Sequence, residues 1–206
     1  MAGHCRVGAQ PSSPRIGIDY LFALRATPSP SPREPATGTK TAEGYLSLQA
    51  DSANPSTIKT LFETVKSTLG ASPAVVVYNA ASLTLPPDES SILPYVAAQL
   101  AVQRWSSLDK DVKKTFIYTG NILNTTVYPV GYALDLGVGK AGSAYWVGAA
   151  DGAYEGRGYR ALKTAAAREV VSTGPRTREF YAQLAEHEGD VPWFATFVKA
   201  KGYVKF

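Results

Sequence analysis

From residue 44 onward the chain alternates between short apolar runs and stretches with apolar residues on one helical face. The run that organises the rest is Pro73-Ala-Val-Val-Val-Tyr-Asn-Ala-Ala-Ser82. A few β-branched and small apolar residues between a proline and a polar turn read as a strand buried on both faces, as in the middle of a parallel sheet. Tyr45 to Ala50 alternates and reads as a strand closed by Asp51. Asn54-Pro55 then opens a helix, with Asn as cap and Pro at the first helical position. Its Ile58, Leu61, Phe62, Val65 and Leu69 share one face, and Gly70 ends it. A second amphipathic helix carries Leu93, Val96, Ala97, Leu100, Ala101, Trp105 and Leu108. Further strands are predicted over 114–119, 159–163 and 193–198. Further helices are predicted from Gly137 to about Tyr154 and over 175–188. Strands alternating with helices predict a parallel sheet with right-handed crossovers.

The first 43 residues break this pattern. Ile18 to Leu24 reads as a strand, followed by Arg25. Thr27-Pro-Ser-Pro-Ser-Pro-Arg-Glu-Pro35 is excluded from any helix, because each proline lacks a donor and clashes with the turn before it. The expected organisation is an irregular Pro/Ser-rich segment over 1–43 and one α/β domain over 44–206.

Composition narrows the class. With 45% hydrophobic and 18% charged residues, the chain has enough apolar material for a packed core. The single Cys5 excludes an internal disulfide or a cysteine metal cluster and fits a reducing, cytoplasmic setting. No window has the length and apolarity of a membrane span, and no apolar leader opens the chain. The net charge is +4, and Arg6, Arg15, Arg25, Arg33 and Lys40 outweigh Asp19 and Glu34 in the first forty residues. No basic stripe interleaved with aromatics follows, so a nucleic-acid partner is not expected. His4 and His187 have no partners at metal-ligand spacing, so no metal is expected. A small molecule is the expected substrate.

Candidate chemistry sits at strand ends, because open α/β sheets bind ligands beyond the carboxyl ends of their strands. Asp51, then Asn79-Ala80-Ala81, then Thr119-Gly120-Asn121 follow three successive strands, and a helix near Lys140 comes next. Taken alone, Asn79 either closes a core strand or faces a ligand, and Asp51 either caps a helix or accepts a hydrogen bond.

This order resembles the short-chain dehydrogenase/reductase superfamily. Thr115-Phe-Ile-Tyr-Thr-Gly-Asn-Ile-Leu-Asn124, Leu136-Gly-Val-Gly-Lys140 and Trp193-Phe-Ala-Thr-Phe-Val-Lys-Ala-Lys-Gly-Tyr-Val204 are similar to an atypical, mainly fungal branch of it. The resemblance covers roughly residues 44–206. It implies a Rossmann-like doubly wound parallel sheet binding NAD or NADP, and carbonyl/alcohol chemistry by hydride transfer. It places Asp51 at the adenine. Asn79, Ala80 and Ala81 would brace the central strand beside the ribose. Lys140 would hold the nicotinamide ribose, and in the family this lysine lowers a tyrosine pKa. If Tyr20 to Arg25 matches the second strand, Arg25 stands near a 2′-phosphate and slightly favours NADP. Helices of the 92–108 and 138–154 type imply a homodimer.

The chain departs from the family at four points. No G-x-x-x-G-x-G turn is present to hold a pyrophosphate. The position four before Lys140 is Leu136, not tyrosine, and Tyr128 and Tyr132 lie farther upstream. The serine position falls in Thr119-Gly120-Asn121, where Thr119 or Asn121 takes over the hydrogen bond to a carbonyl. The helix over 92–108 carries no asparagine. These departures imply an N-terminally truncated or altered fold, with an exposed edge or a space beside the strand at 74–80. They also keep open a second reading, a non-catalytic Rossmann-like binding or interaction protein (a pseudoenzyme).

Overall fold

The computed structural model describes residues 2–8, 21–25, 39–40, 45–51, 55–78, 93–154, 158–164, 175–186, 191–198 and 202–204. Its strands are β1 (Ala2–Gly8), β2 (Leu21–Arg25), β3 (Thr39–Lys40), β4 (Tyr45–Asp51), β5 (Val75–Tyr78), β6 (Thr115–Gly120), β7 (Gly158–Thr164), β8 (Phe194–Val198) and β9 (Gly202–Tyr203). Its helices are α1 (Pro55–Leu69), α2 (Leu93–Trp105), α3 (Leu134–Ala153) and α4 (Pro175–Ala185). All nine strands form one sheet in the order β3-β4-β1-β2-β5-β6-β7-β8-β9.

The centre follows the alternation read in the sequence. Strands β2, β5, β6, β7 and β8 pair in parallel. Every residue of β5 and β6 is buried, as expected for strands covered on both faces. One face packs Leu46, Tyr78, Phe116 and Tyr118 against α1, α2 and Val147 of α3. The other packs Val75, Val77 and Ile117 against Phe180, Leu184 and Ala185 of α4.

Local chemistry fixes the helices. In α1, Ile58, Leu61, Phe62 and Val65 are the buried stripe. Each such side chain contributes roughly 1.5–3 kcal/mol on burial. Gly70 follows α1 at φ +80°, a left-handed conformation that glycine adopts without steric cost, and its N–H bonds Lys66 O at 2.9 Å. The Trp105 indole donates to Pro73 O at 3.2 Å and ties the end of α2 to the approach to β5. Gly148 lets α3 lie against Trp193, because a Cβ there would come within 2.6 Å of the indole.

The N-terminal stretch corrects two expectations. Strands lie at Ala2–Gly8 and Thr39–Lys40, in residues that show no sequence periodicity. The place beside β5 is filled by β2, with Leu21 opposite Val75 and Leu24 opposite Tyr78. In the Rossmann order 3-2-1-4-5-6, β2 therefore holds the first strand's place rather than the second's. The second place holds β1, which runs antiparallel to both β2 and β4. Antiparallel pairing therefore stands where the Rossmann order has parallel neighbours, and antiparallel strands need no crossover helix between them. No single residue in 1–25 signals this, since pairing partners outside the segment decide it.

Among the described residues no helix is long and apolar enough to cross a membrane, and no cluster of three or more His, Cys, Asp or Glu is placed to hold a metal.

Candidate functional site

The site is built on the carboxyl end of β6. Its β-branched and aromatic residues favour a strand, and side chains alternate between the two faces of the sheet. Phe116 and Tyr118 face α3, while Ile117 faces α4. By the same alternation Gly120 faces α3 and Thr119 faces α4. A 3-10 turn, Ile122–Asn124, follows at once. Asn121 Oδ1 accepts from Leu123 N at 2.9 Å, and Asn124 Oδ1 accepts from Asn121 N at 3.2 Å. This reciprocal capping satisfies amides that a short turn leaves free. Asn124 folds back over the strand, so that a Cβ on Gly120 would lie 2.1 Å from its Nδ2. Only glycine fits there. Asn124 is 6% exposed, so the Asn124-Thr-Thr126 sequon is not presented to a glycosylating enzyme in the folded chain.

Lys140 arrives from the second turn of α3. It is 5% exposed, and its Nζ donates to Thr119 O at 2.9 Å. The same ammonium stands 4.8 Å from the centre of the Tyr118 ring. Both contacts favour a cation. Burial opposes them and prevails, pushing the Lys140 pKa down to about 8. Among the described residues no carboxylate pairs with it. Burial pushes the Tyr118 phenol up to about 12, partly offset by the nearby Ser143 hydroxyl, although the two groups do not meet hydrogen-bond geometry. Tyr78 stacks on Tyr118 at 6.3 Å and is raised too, by burial first and by Tyr118 second. Among the described residues, Ser143 Oγ and Asn124 Nδ2 are buried without a hydrogen-bond partner. Unsatisfied buried donors are uncommon and call for an explanation at each site.

The structure separates two residues that the sequence places together. Lys140 meets the carbonyl of Thr119, while the Thr119 hydroxyl turns to the opposite face and pairs with Tyr181 Oη at 2.7 Å. Burial raises the Tyr181 pKa, and the Thr119 hydrogen bond lowers it less. Tyr181 has no sequence signal, because on α4 it reads as one more residue of an amphipathic helix. Asn121 is half-buried, and its oxygen is spent on the cap. Leu136 is half-buried on the first turn of α3, and Tyr128 is 56% exposed. Arg25 and Asp51 end β2 and β4, and their side chains lie outside the described residues, as do Asn79, Ala80 and Ala81 altogether.

No family model matches the chain. It is 30% identical over 201 residues to the short chain dehydrogenase/reductase dmxR12 of Cryptosporiopsis sp. (strain 8999), covering 82% of this chain and 80% of that protein. The chain belongs to the short-chain dehydrogenase/reductase family. Among solved structures, a doubly substituted Serratia marcescens short-chain dehydrogenase/reductase aligns at 16% identity and a TM-score of 0.44, over 67% of this chain and 65% of that one. A candidate D-mannonate oxidoreductase from Haemophilus influenza with bound NAD aligns at 10% identity and a TM-score of 0.41, over 63% and 59%. The chain spans less than two thirds of the length of either.

The family implies a nicotinamide dinucleotide, and its two ends fare differently here. Lys140 uses one of its three N–H groups on Thr119 O, leaving two for the hydroxyls of a ribose. Pyrophosphate is held by successive backbone N–H groups at a helix start. The residues that follow β2 include Pro28, Pro30, Pro32 and Pro35, none of which has an N–H to give. The ribose end fits Lys140, and the segment after β2, where a pyrophosphate would be held, lies outside the described residues.

Proposed function

We propose that this chain is an NAD(P)-dependent oxidoreductase of the short-chain type acting on a carbonyl/alcohol pair; because β2 holds the first strand's place, Arg25 no longer favours NADP over NAD. The observation that carries the reading is Lys140, a buried amine without a carboxylate among the described residues, held at the carboxyl end of a central parallel strand. In this reading Lys140 binds the nicotinamide ribose, and the nicotinamide, when bound, exchanges a hydride with the substrate carbon. The side-chain amide of Asn121 orients the substrate oxygen, while the Thr119 hydroxyl, paired with Tyr181 on the opposite face of the sheet, points away from Lys140. Asp51 accepts from the adenine, and Asn79, Ala80 and Ala81 line the ribose.

A second reading, a family member that binds without turnover, is favoured by one observation. Leu136 has no proton to give, and no described tyrosine hydroxyl bonds Lys140. Thermal unfolding with millimolar NADPH or NADH tests both readings. A ligand at 100 times its Kd adds about 2.7 kcal/mol. A rise in Tm with turnover of a carbonyl panel supports the first reading, a rise without turnover supports the second, and no rise refutes cofactor binding.

We also propose a cytoplasmic homodimer formed through α3. Leu134, Val138 and Tyr145 are 67%, 63% and 80% exposed at spacings that share one helical face. Light scattering that gives a monomer mass refutes it.

A further inference from the structure

Lys140 has a second chemical capacity, independent of hydride transfer. We propose that Lys140 is a carbonyl-reactive amine that condenses with small aldehydes or unhindered ketones to form an imine at the carboxyl edge of β6.

Four observations support this. The amine is 5% exposed and sits on the Tyr118 ring, so its charged form lacks the hydration a surface lysine keeps. Among the described residues no carboxylate holds it as an ammonium. Thr119 O accepts one N–H, which anchors the nitrogen and leaves its lone pair directed elsewhere when the amine is neutral. The Ser143 hydroxyl, without a hydrogen-bond partner among the described residues, lies one turn along the same buried face of α3, and Asn124 Nδ2 lies on the same side of β6 over Gly120. Desolvated lysines of this kind serve as Schiff-base nucleophiles elsewhere in protein chemistry.

The step balances without an oxidant or reductant. The lone pair of neutral Lys140 forms a C–N bond to the carbonyl carbon. A proton moves from nitrogen to the former carbonyl oxygen, with Ser143 available to pass it, and a carbinolamine results. The C–O bond then breaks. The oxygen takes a proton and leaves as water, and the second nitrogen proton is lost to give the imine. One amine and one carbonyl yield one imine and one water.

The test is reductive trapping. The folded chain is treated with acetaldehyde and cyanoborohydride at pH 7.5, and N-ethylation is quantified by peptide mapping. At that pH the lowered pKa gives Lys140 on the order of a hundredfold more free amine than an ordinary lysine. The expected result is at least tenfold faster labelling of Lys140 than of the exposed Lys59 and Lys110, with the preference lost in urea. The chain has eleven lysines, so the map carries its own internal reference. The α-amino group, which ordinarily titrates near 7.7–8, is scored separately. Labelling of Lys140 no faster than of Lys59 and Lys110 overturns the proposal, whether or not a Lys140→Arg variant folds. Addition of NADPH decides a different point. Protection of Lys140 supports the cofactor reading above, and unprotected labelling refutes that reading while leaving the reactive amine intact.

Discussion

Replacing Lys140 by methionine should stabilise the chain near neutral pH, by an amount that depends on pH in a defined direction. The lysine falls from 10.5 to about 8 on folding because it is buried. A pKa unit is worth about 1.4 kcal/mol, so keeping the buried amine charged costs about 3–4 kcal/mol. The folded pKa lies below the unfolded one. Below pH 8 both states carry the proton and the cost is present in full. Between pH 8 and 10.5 the folded state has released the proton while the unfolded state still holds it, so unfolding takes up a proton and stability rises with pH. Above 10.5 both states are neutral and the cost is gone. Methionine of similar length removes this cost. It also removes the hydrogen bond to Thr119 O and the contact with the Tyr118 ring, worth about 2 kcal/mol together. The expected net gain for Lys140→Met at pH 7 is therefore about 1–2 kcal/mol. Urea titrations of both proteins from pH 7 to 10.5, extrapolated linearly, measure it. Tyrosines and other lysines titrate in both chains and cancel in the difference. A wild-type chain that gains no stability relative to the variant as pH rises from 8 to 10.5 would refute the buried-cation argument.

Three other substitutions probe the rest of the frame. Gly120→Ala places a methyl where Asn124 Nδ2 lies 2.1 Å away, and displacing that buried amide breaks the cap on Asn121 N; a loss of about 1–3 kcal/mol should appear as a lower urea midpoint, and a neutral result would show that the turn is loose. Gly148→Ala drives a methyl into the Trp193 ring at 2.6 Å; a loss of about 1–3 kcal/mol with altered tryptophan emission is expected, and unchanged emission contradicts the packing. Tyr145→Glu puts a charge on the exposed face of α3; it should halve the mass seen by light scattering while leaving the far-UV circular dichroism unchanged, whereas an unchanged dimer mass places the interface elsewhere.

The parallel half of the molecule was legible because its signals are local. Val75 to Tyr78 is uniformly apolar and is buried throughout. Asn54-Pro55 and Gly70 bracket α1, which runs Pro55–Leu69. Lys140, marked in the sequence by its place after three polar strand ends, is buried. Boundaries moved where tertiary contacts decide them. Helix α3 starts at Leu134 rather than Gly137, and α2 stops at Trp105, with Leu108 in a turn bonded back to Trp105 O. The partner of Thr119 was illegible, since strand alternation says that Thr119 and Lys140 approach from opposite faces only once the face of each helix is known. The N-terminal strands were illegible for the same reason, as their order in the sheet depends on residues far along the chain.

The reversed strand β1 has a consequence for how the chain comes together during synthesis. Among the described residues, strand β4 pairs with the sheet through β1 and β3, and β2 pairs with the parallel strands through Val75–Tyr78. About fifty residues separate Arg25 from Val75. At roughly 5–20 residues per second the early hairpin waits a few seconds on the ribosome with one edge unpaired. During that interval it can recruit any extended segment that passes, so the pace of translation between β2 and β5 bears directly on the yield of folded protein.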